Sequence, residues 1–295
     1  MFTDYPDLPD WPYRVPFDGS FRVDDFDHDP PKNAPGEEEC EAELADTLVE
    51  LAELQRRFYA TDRHALLLVF QAMDAAGKDG TIRAVLRGID PAGCVVHSFK
   101  KPSAEELDHD FLWRTASRLP ERGRIGVFNR SYYEEVLVVR VHPELLESQR
   151  LPEPTDQAVW DHRLESIRDH EKHLARNGTL ILKFFLNVSR SKQRKRFLKR
   201  IDEPAKNWKF AAGDVRERGY WDEYQSAYQE ALSSTSTAWA PWYAIPADEK
   251  SFMRLSVARI VTETLRRLDP RNPTLSDEER REMLSLRERL VDEAE

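Results

Sequence analysis

The chain has 295 residues, with 44 Lys and Arg against 54 Asp and Glu, so its formal net charge is −10. Broad nucleic-acid binding needs a surplus of basic residues over one face, and this composition argues against it. No apolar run approaches the roughly 20 residues that span a bilayer, and no cleavable signal opens the chain, so we expect a soluble, cytoplasmic protein with no membrane partner.

The chain divides by composition into an arm, a main domain and a charged tail. Residues 1–36 contain seven prolines among many acids, which opposes regular structure and predicts an extended arm laid over the domain. Leucines then recur at helical spacing, which predicts an amphipathic helix over 37–59. We assign 37–270 to the main domain and predict a peripheral charged helix within 271–295.

Apolar segments alternate with helical segments through the main domain. This alternation predicts a three-layer α/β/α fold with a five-stranded parallel sheet. Ligands of such sheets bind beyond the carboxyl ends of the strands. The predicted strands are 65–71, 94–99, 124–129, 179–188 and 242–246. The predicted helices are 78–88, 103–118, 131–139, 156–176, 189–201, 214–233 and 250–268.

The first strand runs into LLLVFQAMDAAGKDGT at 66–81, the layout of a phosphate-binding loop. A turn of small residues at a helix N-terminus, joined by one lysine, binds oxyanions. The loop departs from G-x-x-x-x-G-K-[ST], because Ala72 replaces the first glycine and Asp79 follows the lysine. Ala72 requires a negative or mildly strained φ. An ordinary strand-to-helix turn is the alternative. The candidate phosphate-binding residues here are Asp74, Ala75, Ala76, Gly77, Lys78, Asp79, Gly80 and Thr81.

The third strand ends in FNRSYYEE, where a second phosphate-site strand would deliver a metal ligand. Asn129 stands where an acid is common, which leaves less negative charge near a metal ion. Arg130 suits bidentate phosphate binding, and Glu134 restores an acid one turn later. The segment is also compatible with a simple capped helix start, in which Ser131 and Glu134 form a capping box.

Basic residues concentrate in SRSKQRKRFLKR at 189–200, which contains no acid. A basic helix in an acidic protein indicates a site for a compact polyanion, and a solvated helix face is the alternative. Lys100 and Lys101 follow the second strand directly and are the favoured phosphate contacts outside the loop. Further candidates are Arg83, Arg87, Arg114 and Arg118.

Five segments together carry a resemblance: QAMDAAGKDGTI, SFKKPSAEELDHDFLWR, IGVFNRSYYEEVLVVRVH, LILKFFLNVSRSKQRKRF and APWYAIPADEK occur in this order. The chain resembles the family-2 polyphosphate kinases over most of 13–268, and FNRSYYEEVLVVRVH is most similar to their class III. The resemblance implies a P-loop kinase fold similar to thymidylate kinase, with a helical lid at about 189–212. It also implies Mg²⁺, or Mn²⁺ in its place, as cofactor and a homo-oligomeric assembly.

The activity implied by the resemblance is reversible phosphoryl transfer between inorganic polyphosphate and nucleotides, with AMP and ADP as class III acceptors. Lys78 would spread charge over the transferring group, and Asp74 would hold the metal or orient the attacking nucleotide oxygen. Two alternatives remain: an ATP-dependent nucleoside-monophosphate kinase, or a catalytically silent module that binds polyphosphate or nucleotide. The resemblance places the catalytic roles on Asp74, Lys78, Asn129, Arg130 and Arg190, with Glu134 as the class-marking acid. Arg194, from the basic run, is a further candidate for binding phosphate or nucleotide.

Overall fold

The computed structural model describes residues 8–152 and 158–293. Its centre is a five-stranded parallel sheet in the order β2-β3-β1-β4-β5, which confirms the predicted α/β class. Each predicted strand is present within two residues of its expected ends. The strands are β1 Ala65–Gln71, β2 Cys94–Ser98, β3 Ile125–Asn129, β4 Thr179–Asn187 and β5 Trp242–Pro246.

The position of β1 in this order locates the site. All seven residues of β1 are buried, as expected for a central strand covered on both faces. The connection from β1 runs to β2 on one side of the sheet, and the connection from β3 runs to β4 on the other side. The chain therefore leaves the neighbouring strands β1 and β3 in opposite directions. Phe70 is in register with Asn129, and the loops after β1 and β3 therefore emerge side by side. Crevices of this kind are the usual ligand sites of open α/β sheets.

Helices form two packed groups beside the sheet: α1 and α2 pack on α10, and α6 packs on α9. None of the described helices is long and apolar enough to cross a membrane. The helices are α1 Glu37–Thr61, α2 Lys78–Val85, α3 Ala104–Leu107, α4 Trp113–Ala116, α5 Val138–Val141, α6 Ala158–Arg176, α7 Arg190–Asp202, α8 Ala212–Glu217, α9 Trp221–Thr235, α10 Lys250–Leu268 and α11 Asp277–Asp292.

Four predicted helices are wrong in extent, the least of them 78–88, which ends at Val85. The segment 103–118 contains only the single turns α3 and α4, because the Asp110 carboxylate accepts the backbone N–H of Leu112 and favours a turn between them. The segment 131–139 holds a 3₁₀ stretch at Tyr132–Val136 and then α5. The segment 214–233 is interrupted near Gly219, a poor helix former. Residues 156 and 157 of another predicted helix lie outside the described residues.

The arm covers the edge of the sheet. Val15 donates its backbone N–H to the carbonyl of Trp242, and Ala244 donates to the carbonyl of Tyr13 at 2.8 Å. These bonds occupy backbone groups of β5 that would otherwise be an open edge. Residues 1–7 of the predicted arm lie outside the described part of the chain. At the other end, α11 begins at a capping box of Ser276 and Glu279 and exposes its whole length.

Candidate active site

The loop between β1 and α2 has left-handed backbone at Ala75 (φ 61°) and Gly77 (φ 112°), and not at Ala72. Ala72 therefore replaces the usual glycine without strain of this kind. Gly77 caps the N-terminus of α2, and a Cβ there would also lie 3.3 Å from Cε of Met253. Glycine is thus required at the second glycine position of the motif, residue 77, and not at the first, residue 72.

The Lys78 side chain folds back over this loop. Its Nζ donates to the carbonyl of Ala72 at 2.7 Å, and two of its three ammonium donors remain for a ligand. Burial and the nearby Arg130 lower the pKa of Lys78. A bound anion would oppose both effects. The hydroxyl of Thr81 is not brought to the loop surface, because this fully buried residue donates to the carbonyl of Gly77 within α2.

The departures from the common phosphate-site pattern at Asn129 and Asp79 have one structural explanation. Nδ2 of Asn129 donates to Oδ1 of Asp79 at 2.7 Å and to Oγ of Ser98 at 3.3 Å. An acid at residue 129 would place two carboxylates against each other, and like charges at this distance repel. Both departures from the common phosphate-site pattern are therefore parts of one hydrogen bond, which joins the end of β3 to the first turn of α2.

Arg130 lies between two acids. Nη2 of Arg130 is 3.0 Å from Oδ1 of Asp74, and Nη1 is 3.2 Å from Oε2 of Glu134. The negative charge of Glu134, with that of Asp74, raises the pKa of Arg130. The backbone of Arg130 is left-handed, with φ 64°, a conformation that costs a bulky residue about 1–3 kcal/mol. The structure thus fixes this guanidinium at the mouth of the crevice.

Helix α7, the predicted lid, is hydrogen-bonded to the loop through two side chains that the sequence did not single out for this role. Nε2 of Gln193 donates to the carbonyl of Asp74 at 2.9 Å. Arg196 donates to the carbonyls of Ala75 and Ala76, and also to those of residues 247 and 248. The acid-free run at 189–200 made Arg196 a candidate for the polyanion, yet here it binds backbone.

Other basic residues of the lid remain exposed. Arg190 and Arg194 project from α7 into solvent, and Arg218 donates to the carbonyl of Arg190 and to Oε1 of Gln193. Burial and the positive charges of Arg190 and Arg194 lower the pKa of Arg218. Three arginines therefore lie close enough together at this end of α7 for their positive charges to affect one another. The predicted lid end at 212 coincides with the start of α8, Ala212–Glu217.

A cavity of about 110 Å³ lies between the loop, the FNRSYYEE turn, α7 and the α8 to α9 region. Sequence reasoning missed half of its charged lining, because those residues follow the lid in the chain and match no motif. Burial and the negative charge of Asp74 raise the pKa of Asp214, which shows how crowded the acids are. The charged lining residues are Asp74, Arg130, Glu134, Asp214, Glu217 and Arg218.

These residues fit a divalent cation shared with a substrate. Carboxylate oxygens are the ligands that Mg²⁺ prefers, and it is commonly held by one or two of them together with substrate phosphates. A cation at Asp74 would offset the negative charge that, after burial, raises the pKa of Asp214. Over 8–152 and 158–293, no group of three His, Cys, Asp or Glu side chains is arranged to hold a metal unaided.

The remaining predicted cations are dispersed. Lys100 and Lys101 are exposed after β2, which is separated from β1 by β3. Arg114 donates to the carbonyl of Lys100. Arg87 lies elsewhere, in a groove between α1, α2 and α10. Gly80 faces Arg254 across the first turn of α2.

The chain is similar to known proteins of one family. A family model described as polyphosphate kinase 2 matches residues 35–273. An ADP-polyphosphate phosphotransferase of Rhodopseudomonas palustris is 58% identical over 84% of this chain and 87% of its own length. An AMP/ADP-polyphosphate phosphotransferase of Meiothermus ruber is 45% identical over 88% and 94%. The crystal structure of polyphosphate kinase 2 from Arthrobacter aurescens TC1 has a TM-score of 0.87 at 36% identity, covering 97% of this chain and 98% of that one.

Proposed function

The chain belongs to the polyphosphate kinase 2 family, and from this premise we propose that it transfers the terminal phosphoryl group of polyphosphate to ADP and to AMP, reversibly. The R. palustris and M. ruber relatives both carry ADP in their names, and the M. ruber name adds AMP. The observation that carries the proposal is that Lys78, Arg130 and α7 all bond to the loop after β1. Lys78 bonds to the carbonyl of Ala72 and Arg130 to the carboxylate of Asp74, and α7 bonds to loop carbonyls through its Gln193 and Arg196 side chains.

The proposed chemistry is positioning and charge stabilisation, since phosphoryl transfer needs little covalent help from the protein. Lys78 uses its two remaining donors on oxygens of the transferred group. Arg130 has five N–H donors, so its ion pairs with Asp74 and Glu134 leave others to bind phosphate. Arg190 approaches from the lid. No covalent enzyme intermediate is needed, because the nucleotide oxygen attacks the terminal phosphoryl group of polyphosphate directly and in line.

Mg²⁺, or Mn²⁺ in its place, would be held by Asp74 and would neutralise charge that develops between donor and acceptor oxygens. The side chains themselves orient both substrates. Helix α7 excludes water, which matters because hydrolysis of polyphosphate is the competing reaction. The bonds from Gln193 and Arg196 to the loop support this role, since they hold the lid next to the reacting groups.

The test offers AMP or ADP with Mg²⁺ and either polyphosphate or ATP, and measures the nucleotide products by chromatography. We expect ADP and ATP from the polyphosphate reactions, abolished by EDTA and restored by added Mg²⁺. ADP formed from AMP only when ATP is the donor would identify a nucleoside-monophosphate kinase instead. Polyphosphate binding without any transfer would identify a silent module.

A matched pair of lysine variants tests the site. Lys78→Ala should abolish most polyphosphate consumption while the protein stays folded, because one preorganised donor contributes about 3–4 kcal/mol to barrier lowering. Lys32→Ala changes an exposed lysine of the arm and should leave turnover unchanged. Wild-type turnover by Lys78→Ala would reject the assignment of the loop.

A further inference from the structure

A fully buried polar network lies beneath the FNRSYYEE turn. Its centre is an ion pair between Lys183 of β4 and Glu171 of α6, with Nζ 2.6 Å from Oε2 and neither side chain exposed. The hydroxyls of Tyr132 and Tyr133 both donate to Oε1 of Glu171, at 3.0 and 2.9 Å. Each carboxylate oxygen of Glu171 therefore has a partner, and two of those partners belong to the turn.

The network is saturated on the lysine side as well. Nζ of Lys183 donates to Glu171, to the hydroxyl of Tyr133 at 2.9 Å and to the carbonyl of Thr235 at 2.8 Å, which uses all three ammonium donors. Oγ1 of Thr235 accepts from Nε1 of Trp242 at 2.9 Å. The turn is thus joined to two strands and two helices that lie far apart in the chain.

Stability alone is a weak reason for such a network. A buried ion pair is often no more stabilising than well-packed apolar residues of the same volume, since both charges lose their hydration. Here the pair fixes two consecutive tyrosines that stand between Arg130 and Glu134 in the chain. Tertiary structure must also hold the left-handed backbone of Arg130, with φ 64°, because such a conformation persists only where its surroundings determine it.

Local bonds complete the support of this turn. Oγ of Ser131 accepts the backbone N–H of Tyr133 at 3.1 Å and Nε2 of Gln71, at the end of β1, at 3.3 Å. The backbone N–H of Arg130 donates to the carbonyl of Phe70. These bonds fix the start of the turn to β1, and the buried network fixes its tyrosines from below.

We propose that Glu171 and Lys183 are positioning residues for phosphoryl transfer, which act through Tyr132 and Tyr133 to hold Arg130 and Glu134 against the cavity. The inference rests on the proposed role of Arg130 in that reaction. Neither Glu171 nor Lys183 reaches the cavity, so both act only by fixing the turn. A displacement of about 1 Å at a reacting group costs up to about 100-fold in rate, which makes a small loosening of the turn measurable.

The test removes single hydroxyls. Both Tyr132→Phe and Tyr133→Phe keep the buried ring and delete one bond to Glu171. Tyr133→Phe also removes the contacts of that hydroxyl with Lys183 and Thr235. The control is Tyr243→Phe, because Tyr243 is also fully buried and its hydroxyl donates to the carbonyl of Pro9, away from the turn. For each variant, kcat and KM for polyphosphate are measured with ADP, and near-UV circular dichroism gives the folded fraction at the assay temperature.

We expect kcat of Tyr133→Phe to fall about 10-fold or more through misplacement of Arg130, with KM for polyphosphate changed less than twofold. The kcat of Tyr132→Phe should also fall, and the kcat of Tyr243→Phe should stay within twofold of the wild-type value. The inference would be overturned if kcat fell by less than threefold in both turn variants. It would also be overturned if the loss of kcat matched the fraction of unfolded protein.

Arg130→Lys separates this inference from the proposed function. If the tyrosines act through Arg130, Tyr133→Phe should lower kcat much less in the Arg130→Lys background than in wild type. An undiminished effect there would overturn the positioning role even if Arg130→Lys itself is impaired. Full activity of Arg130→Lys would instead reject the catalytic assignment of Arg130, while polyphosphate-dependent ATP formation by the wild type would still support the proposed function.

Discussion

The arginines proposed to bind phosphate are held in opposite ways by the two walls of the crevice. The core wall comprises the loop 72–81 and the turn 129–134, and the lid wall comprises α7 with the segment up to residue 218. In the core wall Arg130 is half-buried and bonded to two carboxylates. In the lid wall Arg190 and Arg194 are exposed, and among the lid cations Arg196 is the one bonded to the loop.

This difference assigns different tasks to the two walls. A charge fixed at a partly buried site acts through a low local dielectric and needs no reorganisation, so it affects the rate of reaction. An exposed charge is screened by salt and retains side-chain freedom, so it mainly attracts the polyanion. We therefore expect core-wall substitutions to lower kcat and lid-wall substitutions to raise KM for polyphosphate.

The largest effect is expected for Arg130→Ala in the core wall. Losing one preorganised donor lowers kcat by about 10²–10³-fold, and here it also leaves Asp74 and Glu134 without their shared partner. The control is Arg124→Ala, just before the other end of β3, where the residue pairs with Glu121 near the surface. Steady-state kinetics with ADP check both. A change confined to KM would place Arg130 with the lid cations and break the comparison.

Arg196→Ala should destabilise the protein and loosen the lid. Its guanidinium serves four backbone carbonyls, and leaving such partly buried acceptors unpaired costs about 1–3 kcal/mol. Urea unfolding measures this loss. Arg194→Ala, on an exposed position of the same helix, should change the unfolding free energy by less than about 0.5 kcal/mol. Equal stability of both variants would mean that the lid is not held by Arg196.

Arg190→Ala should mainly weaken polyphosphate capture. We expect KM for polyphosphate to rise about 10-fold, near the lower end of the range for one charge-assisted hydrogen bond, with a smaller change in kcat. Arg287→Ala, on the exposed helix α11, is the matched control. If kcat instead falls 100-fold at constant KM, Arg190 belongs functionally to the core wall.

The smallest effect is expected from salt on the wild type. Raising ionic strength from 0.05 to 0.2 M shortens the screening length to below about 10 Å, so KM for polyphosphate should rise about threefold while kcat stays nearly constant. Initial rates measured over a series of polyphosphate concentrations at each ionic strength give both constants. A fall in kcat with constant KM would show that exposed lid cations contribute to the chemical step.

Sequence reasoning reached the strands and the loop because their signals are local. An apolar run such as β1 and a small-residue turn before Lys78 can be recognised within a few residues. It failed where tertiary contacts override helical propensity, as at 131–139, where the buried tyrosines bond to Glu171 and the backbone becomes 3₁₀. It also treated Asn129 and Asp79 as separate irregularities, because only the register of β1 with β3 brings them together.

By itself the sequence determined the fold class, the loop on β1 and the types of side chain that bind phosphate. Periodicity and short motifs encode these, since each depends on neighbours within one or two turns of chain. Only the tertiary structure decided which charges are paired, which carbonyls Arg196 occupies, and that Asp214 and Arg218 line the same cavity as Asp74. Those facts depend on where segments more than 50 residues apart meet, and packing of the whole core sets that.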